Sequence, residues 1–158
     1  MGRTPSAELA RAFDAYNATR DRATRTGDWT ILADCFTDDA VWIEHAMGEF
    51  QGRAAIEAFL REALAPFPHL AFAIDWSVLD EERGAVVLQQ RQIFPDPPGW
   101  KGEPFSVAQW SRLVYAGDGR FASKEDVHNP ARDLPRVLRA WREAGGRMEG
   151  AARVKGAS

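Results

Sequence analysis

Two adjacent ionisable residues, Glu44 and His45, end a short segment in which apolar and polar side chains alternate. Residues 40–45 are predicted to form a strand, in which His45 shares a face with Val41 while Glu44 shares the other with Trp42. A shift of one residue exchanges the two faces, so the sequence leaves open which group points inward. Either group is able to move a proton, because imidazole titrates near neutrality and burial raises the pKa of a carboxylate.

A tyrosine, Tyr16, lies on the apolar stripe of a helix predicted over residues 6–25. Its ring is expected to be buried, and its hydroxyl then needs a hydrogen-bond partner. If it faces a ligand, it can donate to an oxygen that becomes negative during a reaction. An ordinary core tyrosine is the alternative interpretation.

A carboxylate and an imidazole, Asp21 and His69, form a second candidate arrangement, one late in the first helix and the other at the start of a predicted strand. A carboxylate at one ring nitrogen fixes the histidine tautomer and leaves the other nitrogen free to take a proton. The alternative is that Asp21 pairs with Arg25, four residues later on a solvated face, and that His69 is a loop residue.

The last predicted strand, residues 120–127, supplies further candidates. Alternation places Asp126 on the face of Lys124 and His128, with Glu125 on the opposite face. Asp126 is therefore a candidate acid or base, and Glu125 replaces it if the register differs. A structural ion pair across the sheet is the competing role. Two mid-strand cations are available as its partners, Arg91 and Arg112.

Aromatic side chains are candidate walls for a small-molecule pocket, because large rings supply apolar surface. The chain has six tryptophans. A proline-rich loop over residues 95–104 carries one of them, Trp100, and could cover such a pocket. For each ring, core packing or a contact between two copies is the alternative. The predicted substrate-binding residues are Trp42, Phe59, Trp76 and Trp110.

The order of elements predicts how these groups are positioned. Helices are expected over residues 6–25, 28–36, 53–65 and 134–144, and strands over 40–45, 69–78, 85–94, 105–115 and 120–127. This order indicates an α+β fold: three N-terminal helices cover a cone-shaped, curved antiparallel sheet, and a short helix follows. A single domain over residues 6–145 and a flexible tail over 146–158 are predicted. Because few helices cover the bent sheet, an apolar cavity is expected at its open end.

Composition excludes several classes of function. A net charge of −3 provides no basic surface for nucleic acid. No apolar run is long enough to span a bilayer, and the N-terminus has no apolar signal core, which favours a cytoplasmic location. A single cysteine, Cys35, argues against a disulfide or a cysteine-based metal site. No nucleotide-binding motif is present, so no nucleotide cofactor is expected. The three histidines lie in different segments and none has the i, i+4 spacing of a helical metal site, so no metal is expected either.

Four segments together are similar to a known family. The chain resembles the SnoaL-like branch of the nuclear transport factor two-like superfamily from about residue 6 to residue 131. The segments are Gly27-Asp28-Trp29, LADCFTDDAVW over residues 32–42, GRAAI over 52–56, and KEDVHNP over 124–130. The resemblance implies an α+β cone that dimerises through the outer face of its sheet. Its members include ketosteroid isomerases, polyketide cyclases, scytalone-type dehydratases, epoxide hydrolases and proteins without catalytic activity.

The resemblance also suggests roles for particular residues. Spacing from Gly48 puts His45 where the isomerases carry their catalytic carboxylate, whereas spacing from Asp39 puts Glu44 there. Tyr16 would polarise the substrate oxygen, and Asp126 would act as a second acid or base. The expected function is a cofactor-independent isomerase, cyclase or dehydratase of a polyketide-, terpenoid- or steroid-like compound. The alternatives are a binding or dimerisation module without catalysis, and an epoxide hydrolase using Asp126 with Arg91.

Overall fold

The structure is a computed structural model that describes residues 4–149. Its helices are α1 (Ser6–Thr26), a 3₁₀ helix (Trp29–Cys35), α2 (Arg53–Leu64) and α3 (Asp133–Glu143). Its strands are β1 (Phe36–Glu44), β2 (Gly48–Gln51), β3 (Ala71–Asp80), β4 (Ala85–Ile93), β5 (Ser106–Gly117) and β6 (Arg120–Val127). The six strands form one curved, unclosed sheet, which confirms the predicted α+β class.

The first helix buries the stripe that the sequence indicates, including Leu9, Phe13 and Tyr16. It ends at Gly27, whose φ of 77° lies in the left-handed region that glycine adopts without strain. The side chain of Asp28 then accepts a hydrogen bond from the backbone N–H of Thr30 at 3.0 Å and so begins the next helix. That segment is a 3₁₀ helix, so the cover predicted as three helices consists of two α-helices and this shorter turn.

The sheet order is β2-β1-β6-β5-β4-β3. The prediction of a wholly antiparallel sheet is wrong at one pair, because β1 and β6 run parallel. Residues 45–119, almost half of the chain, lie between these two strands, so no tight hairpin forces them to be antiparallel. Residues 48–51, which lie outside every predicted helix and strand, form a short edge strand, β2, which pairs with β1.

The third strand changes face in its middle. Its register against β4 shifts between Ile74 and Trp76, where Asp75 is the extra residue. Strict alternation would have kept Ile74 and Trp76 on one face, but the bulge turns Trp76 outward, where 41% of its surface is exposed. The sequence pattern therefore predicts the strand correctly but assigns Trp76, which follows the bulge, to the wrong face of the sheet.

The last helix closes one end of the cone. Trp141 of α3 packs against Phe67 and Phe94, with ring centroids 5.7 and 5.8 Å away, and donates to the carbonyl oxygen of Pro95 at 2.7 Å. The predicted flexible tail begins at residue 146, but Met148 packs against the core and the N–H of Glu149 donates to the carbonyl oxygen of Pro66. Residues 150–158 of that tail lie outside the described part of the chain.

Candidate functional site

A cavity of about 180 Å³ lies between the concave face of the sheet and the helices. Its apolar wall comes from the 3₁₀ helix, from α2 and the segment after it, and from α3, and includes Trp29, Phe59, Leu60, Leu64 and Leu138. The rest of its lining comes from α1 and the inward-facing residues of the strands. The cavity is thus an apolar hollow into which a few ionisable groups project.

The register of β1 decides the question that the sequence leaves open. Trp42 and Glu44 are buried and line the cavity, whereas His45 is half exposed on the outer face. Nε2 of His45 lies 2.8 Å from Oε1 of Glu125. The other carboxylate oxygen of Glu125, Oε2, accepts a hydrogen bond from Arg112. The prediction of His45 as an inward base is therefore corrected: on this strand the inward ionisable group is Glu44.

Asp126 lies at the centre of the polar part of the cavity. One of its oxygens accepts from Oγ of Ser111 at 2.5 Å and the other from Nε1 of Trp42 at 2.8 Å. Both also contact the ammonium group of Lys124. Because a carboxylate has about four acceptor sites, this carboxylate has little capacity left to abstract a proton. Its inward position agrees with the sequence, but its contacts suit a structural and electrostatic role.

Two cations that were not predicted as site residues line the same cavity. Lys124 pairs with Asp126 and lies over the ring of Trp42, its Nζ 4.1 Å from the ring centroid. Arg20 reaches in from α1 and donates to the side-chain oxygen of Gln90. Burial lowers the pKa of both cations. Two patterns in the sequence point to them: Arg20 interrupts the apolar stripe of α1, and Lys124 shares a strand face with Asp126.

Tyr16 lines the cavity next to Arg20, with 1% of its surface exposed. Burial raises the pKa of its hydroxyl, so the group is a neutral hydrogen-bond donor at ordinary pH. The Arg20 guanidinium lies 5.7 Å from the centroid of its ring. The predicted inward position of Tyr16 therefore agrees with the structure, and its role towards a ligand remains a proposal.

A carboxylate–imidazole pair lies at the end of β1 and β6. Nδ1 of His128 is 3.1 Å from Oε1 of Glu44, and both side chains are more than 90% buried. Oε2 of Glu44 accepts from the backbone N–H of Ala46 at 3.2 Å. Neither Nδ1 nor Oε1 has a well-aligned hydrogen bond within residues 4–149, so a small rotation of either group would complete one. Catalytic hydrogen bonds of this kind often align only when a ligand is bound.

The Glu44 carboxylate raises the pKa of His128 above the ordinary value for histidine. The other ring nitrogen, Nε2, has no hydrogen-bond partner among the described residues, and His128 lines the cavity. This geometry is the dyad that the sequence suggested for Asp21 and His69. His128 directly follows β6 and continues the alternation that places Lys124 and Asp126 inward, which is the signal that could have identified it.

The predicted dyad of Asp21 and His69 does not form. Asp21 is exposed on α1, and no hydrogen bond or ion pair of the described residues joins it to His69. His69 instead donates from Nδ1 to the backbone carbonyl oxygen of Thr24, 2.8 Å away. It borders a separate surface hollow with Trp141 and several prolines. Helix α1 therefore points Arg20, and not Asp21, towards the cavity.

The predicted aromatic walls divide into two groups. Trp42 and Phe59 line the cavity and pack together with ring centroids 5.6 Å apart. Trp76 and Trp110 lie outside the cavity on the convex face, where their centroids are 5.1 Å apart and 41% and 47% of their surfaces are exposed. The prediction of a pocket role for this second pair is wrong, because the β3 bulge and the register of β5 point them outward.

Two further predictions concern the surroundings of the cavity. Trp100 of the proline-rich loop stacks on Phe105 and does not line the cavity; α3 provides the cover instead, through Leu134 and Leu138. Arg91 pairs with Asp75 on the outer face. The water site that an epoxide hydrolase would need between Asp126 and Arg91 is therefore not formed, because the two residues lie on opposite faces of the sheet.

The pair of His128 and Glu44 predicts a pH dependence of stability. The pKa of His128 is raised in the folded state, so the folded protein binds more protons than the unfolded chain between the ordinary histidine value of ~6.5 and that raised value. The free energy of unfolding should therefore fall as pH rises through this window. Urea unfolding at several pH values should show this slope, and His128→Gln should flatten it. An unchanged slope would contradict the pairing; the matched control is His69→Gln, at an exposed histidine.

Within residues 4–149, no helix is long and apolar enough to cross a membrane. In the same part of the chain, His, Cys, Asp and Glu side chains do not form a group of three placed to hold a metal ion.

Comparisons with known proteins identify the fold. Over residues 9–124 the chain matches the family described as the SnoaL-like domain. The comparison with curated proteins finds no match. Among solved structures, a candidate SnoaL-like polyketide cyclase from Jannaschia sp. CCS1 is 19% identical, with a TM-score of 0.63 over 89% of this chain and 97% of the other.

Two other solved structures contain small molecules. A protein with a ketosteroid isomerase-like fold from Catenulispora acidiphila DSM 44928, in complex with trimethylamine, is 18% identical (TM-score 0.60, 85% of this chain and 94% of the other). TerC, co-crystallised with polyporic acid, is 17% identical (TM-score 0.62, 83% of this chain and 98% of the other). Similarity at these identities establishes a shared fold and leaves the reaction to the site itself.

Proposed function

Because this chain belongs to the SnoaL-like domain family, we propose that it is a cofactor-independent enzyme that catalyses proton transfer on a small, largely apolar molecule. The observation that carries the proposal is the dyad of Glu44 and His128, which opens onto an apolar cavity. The substrate would be a polyketide-, terpenoid- or steroid-like compound, and the reaction an isomerisation, a cyclisation or a dehydration. The small molecules present with TerC and with the Catenulispora protein support small-molecule binding by this fold.

In the proposed mechanism, Nε2 of His128 takes a proton from a carbon next to a carbonyl group. The electron pair of the broken C–H bond moves to the carbonyl oxygen and forms an enolate. Glu44 orients the imidazole through Nδ1 and stabilises its protonated form. In a β,γ-unsaturated ketone the enolate is conjugated with the C=C bond, so His128 can return the proton to the γ carbon; the double bond then moves into conjugation with the re-formed carbonyl group, which completes an isomerisation without an external reagent. The Glu44 carboxylate raises the pKa of His128, which makes the neutral imidazole a stronger base.

The negative charge of the enolate would be stabilised at the polar part of the cavity. The neutral hydroxyl of Tyr16 can donate a hydrogen bond, and the Arg20 guanidinium next to it is positively charged. Donors that are fixed before the reaction, in a site from which water is largely excluded, stabilise such a charge more strongly than water does. Asp126 would act indirectly, by holding Lys124 and Trp42 in place.

The proposal is tested with 2-tetralone, a small apolar ketone with an acidic C–H bond next to its carbonyl group. The protein in D₂O should accelerate incorporation of deuterium at that carbon, as measured by NMR against a buffer blank and against the urea-unfolded protein. A rate equal to the blank, together with measurable binding of the ketone, would support a binding module without catalysis.

We also propose that the protein is a homodimer formed through the convex face of the sheet. Trp76 and Trp110 form an exposed aromatic pair there, and exposed Val78 and Val127 lie on neighbouring parts of the sheet. Aromatic residues are enriched at such interfaces. Sedimentation equilibrium should give twice the mass of the chain, and Trp76→Glu with Trp110→Glu should give the single mass. Met47→Glu, at an exposed apolar residue of the cavity mouth, is the control; a wild-type monomer would refute the proposal.

A further inference from the structure

Arg20 is a buried cation without a carboxylate partner in the described structure. Only 3% of its surface is exposed, and none of the ion pairs formed within residues 4–149 includes it. Its guanidinium donates to the neutral side chain of Gln90 and lies 4.9 Å from the ring centroid of Phe72. Arginine is rarely buried so completely unless it is paired, because removing its charge from water is costly.

The nearby acid Asp126 is not available to neutralise it. A chain of hydrogen bonds connects the two: Arg20 donates to Gln90, Gln90 donates to Ser111 at 3.0 Å, and Ser111 donates to Asp126. The remaining acceptor positions of Asp126 are taken by Lys124 and Trp42. Arg20 therefore makes no direct ion pair with this carboxylate: two neutral side chains link them by hydrogen bonds, and the charge of Asp126 acts on the guanidinium only at longer range.

Counting charges shows that this part of the cavity is positive. Arg20 and Lys124 each contribute +1 and Asp126 contributes −1, so the sum is +1 wherever the proton between Lys124 and Asp126 resides. The second carboxylate of the lining, Glu44, is paired with His128. That pair is neutral while His128 is protonated, and the cavity then has a net charge of +1; when His128 is neutral the Glu44 charge brings the sum to zero, but Glu44 is in contact with His128 and forms no ion pair with Arg20.

An apolar cavity with one uncompensated guanidinium fits a particular ligand. The rings and aliphatic chains of the wall would enclose an apolar body, and a negative oxygen would complete the pairing of Arg20. Arginine binds carboxylates through charge-assisted and often bidentate hydrogen bonds. The hydroxyl of Tyr16, next to Arg20, is a further donor for such an oxygen.

We propose that the natural ligand is an apolar acid, either a carboxylic acid or a compound with an ionised enol, whose negative oxygen binds at Arg20. The inference deepens the proposed function by specifying the class of compound that the cone accepts. It requires the cavity to be a binding site, and it does not require the proton transfer at His128.

Isothermal titration calorimetry at neutral pH, with two probes of nearly equal size, tests the proposal. The wild-type protein should bind 2-naphthoic acid at least about 10-fold more tightly than 2-naphthamide, because a hydrogen bond to a charged acceptor is stronger than one to a neutral acceptor. Arg20→Gln should reduce this preference to less than about 3-fold, whereas Arg20→Lys, which keeps the charge, should retain part of it. The near-ultraviolet circular dichroism of each variant reports whether the core is intact.

Equal or tighter binding of the amide by the wild-type protein would overturn the proposal, and so would the binding of neither probe. This comparison needs no variant, so it holds even if Arg20→Gln fails to fold. Exchange of 2-tetralone without preference for the acid would reject this inference and leave the proton transfer standing. Preference for the acid without exchange would reject the proton transfer alone.

Discussion

Replacing His128 with glutamine is expected to slow deuterium incorporation into 2-tetralone by about 10²–10⁴-fold, the usual contribution of a general acid or base. Glutamine has similar length and polarity but does not titrate, so the cavity should keep its shape. Binding of 2-tetralone, measured by calorimetry, should change little, because the apolar wall provides most of the contact. NMR of the ketone in D₂O gives the rate for both proteins.

Substitutions at two adjacent residues at the end of β1 test whether the loss of rate is specific to the dyad of Glu44 and His128. Glu44→Gln should also reduce the rate, and the pH at which the rate is half-maximal should move lower, because the Glu44 carboxylate raises the pKa of His128. His45→Gln is the matched control, one residue along the same strand but on the outer face. If His45→Gln were as slow as His128→Gln, the assignment of the inward base would be wrong.

Lys124→Met is expected to lower the free energy of unfolding by about 3–5 kcal/mol, the typical cost of removing one partner of a buried ion pair. Lys124 and Asp126 are both almost fully buried, and the substitution leaves Asp126 with only its neutral donors, Ser111 and Trp42. The contact between the ammonium group and the ring of Trp42 is lost as well. Urea unfolding followed by far-ultraviolet circular dichroism measures the change.

The control is the ion pair of Arg112 on β5 and Glu125 on β6, which lies on the other face of the sheet. Arg112→Met removes a cation of similar reach from an exposed pair, which typically costs at most about 1 kcal/mol. Similar losses for both variants would show that the Lys124 ion pair is as weak as a surface pair. Lys124→Met should also be made in a protein that carries Asp126→Leu. If it lowers the free energy of unfolding less there than in the wild-type protein, the loss comes from leaving the Asp126 carboxylate unpaired.

Much of the fold could be predicted from the sequence because its signals are local. The apolar stripe of α1, its end at Gly27 and the alternation of β6 each depend on residues a few positions apart. The same local alternation placed Asp126 with Lys124 and His128 on one face. It missed β2, a four-residue edge strand whose alternation is too short to recognise.

The candidate site was predicted only in part because it depends on register and on contacts between distant segments. Glu44 and His128 are 84 positions apart and meet only because β1 and β6 pair in parallel with a particular offset. The bulge at Asp75 exchanges the two faces for the residues of β3 that follow it, so alternation assigned Trp76 to the wrong face. On α1, Arg20 lies on the apolar stripe and Asp21 does not, but only the packing of the helix shows that the Arg20 guanidinium reaches the cavity.

By itself, the sequence determined the α+β class, the elements that form the cone and the set of ionisable groups, because periodicity and end signals are properties of short segments. The tertiary structure alone decided which of those groups share a cavity. The physical reason is that strand register and helix rotation follow from packing of the whole core, where a shift of one residue moves a side chain from the cavity to solvent.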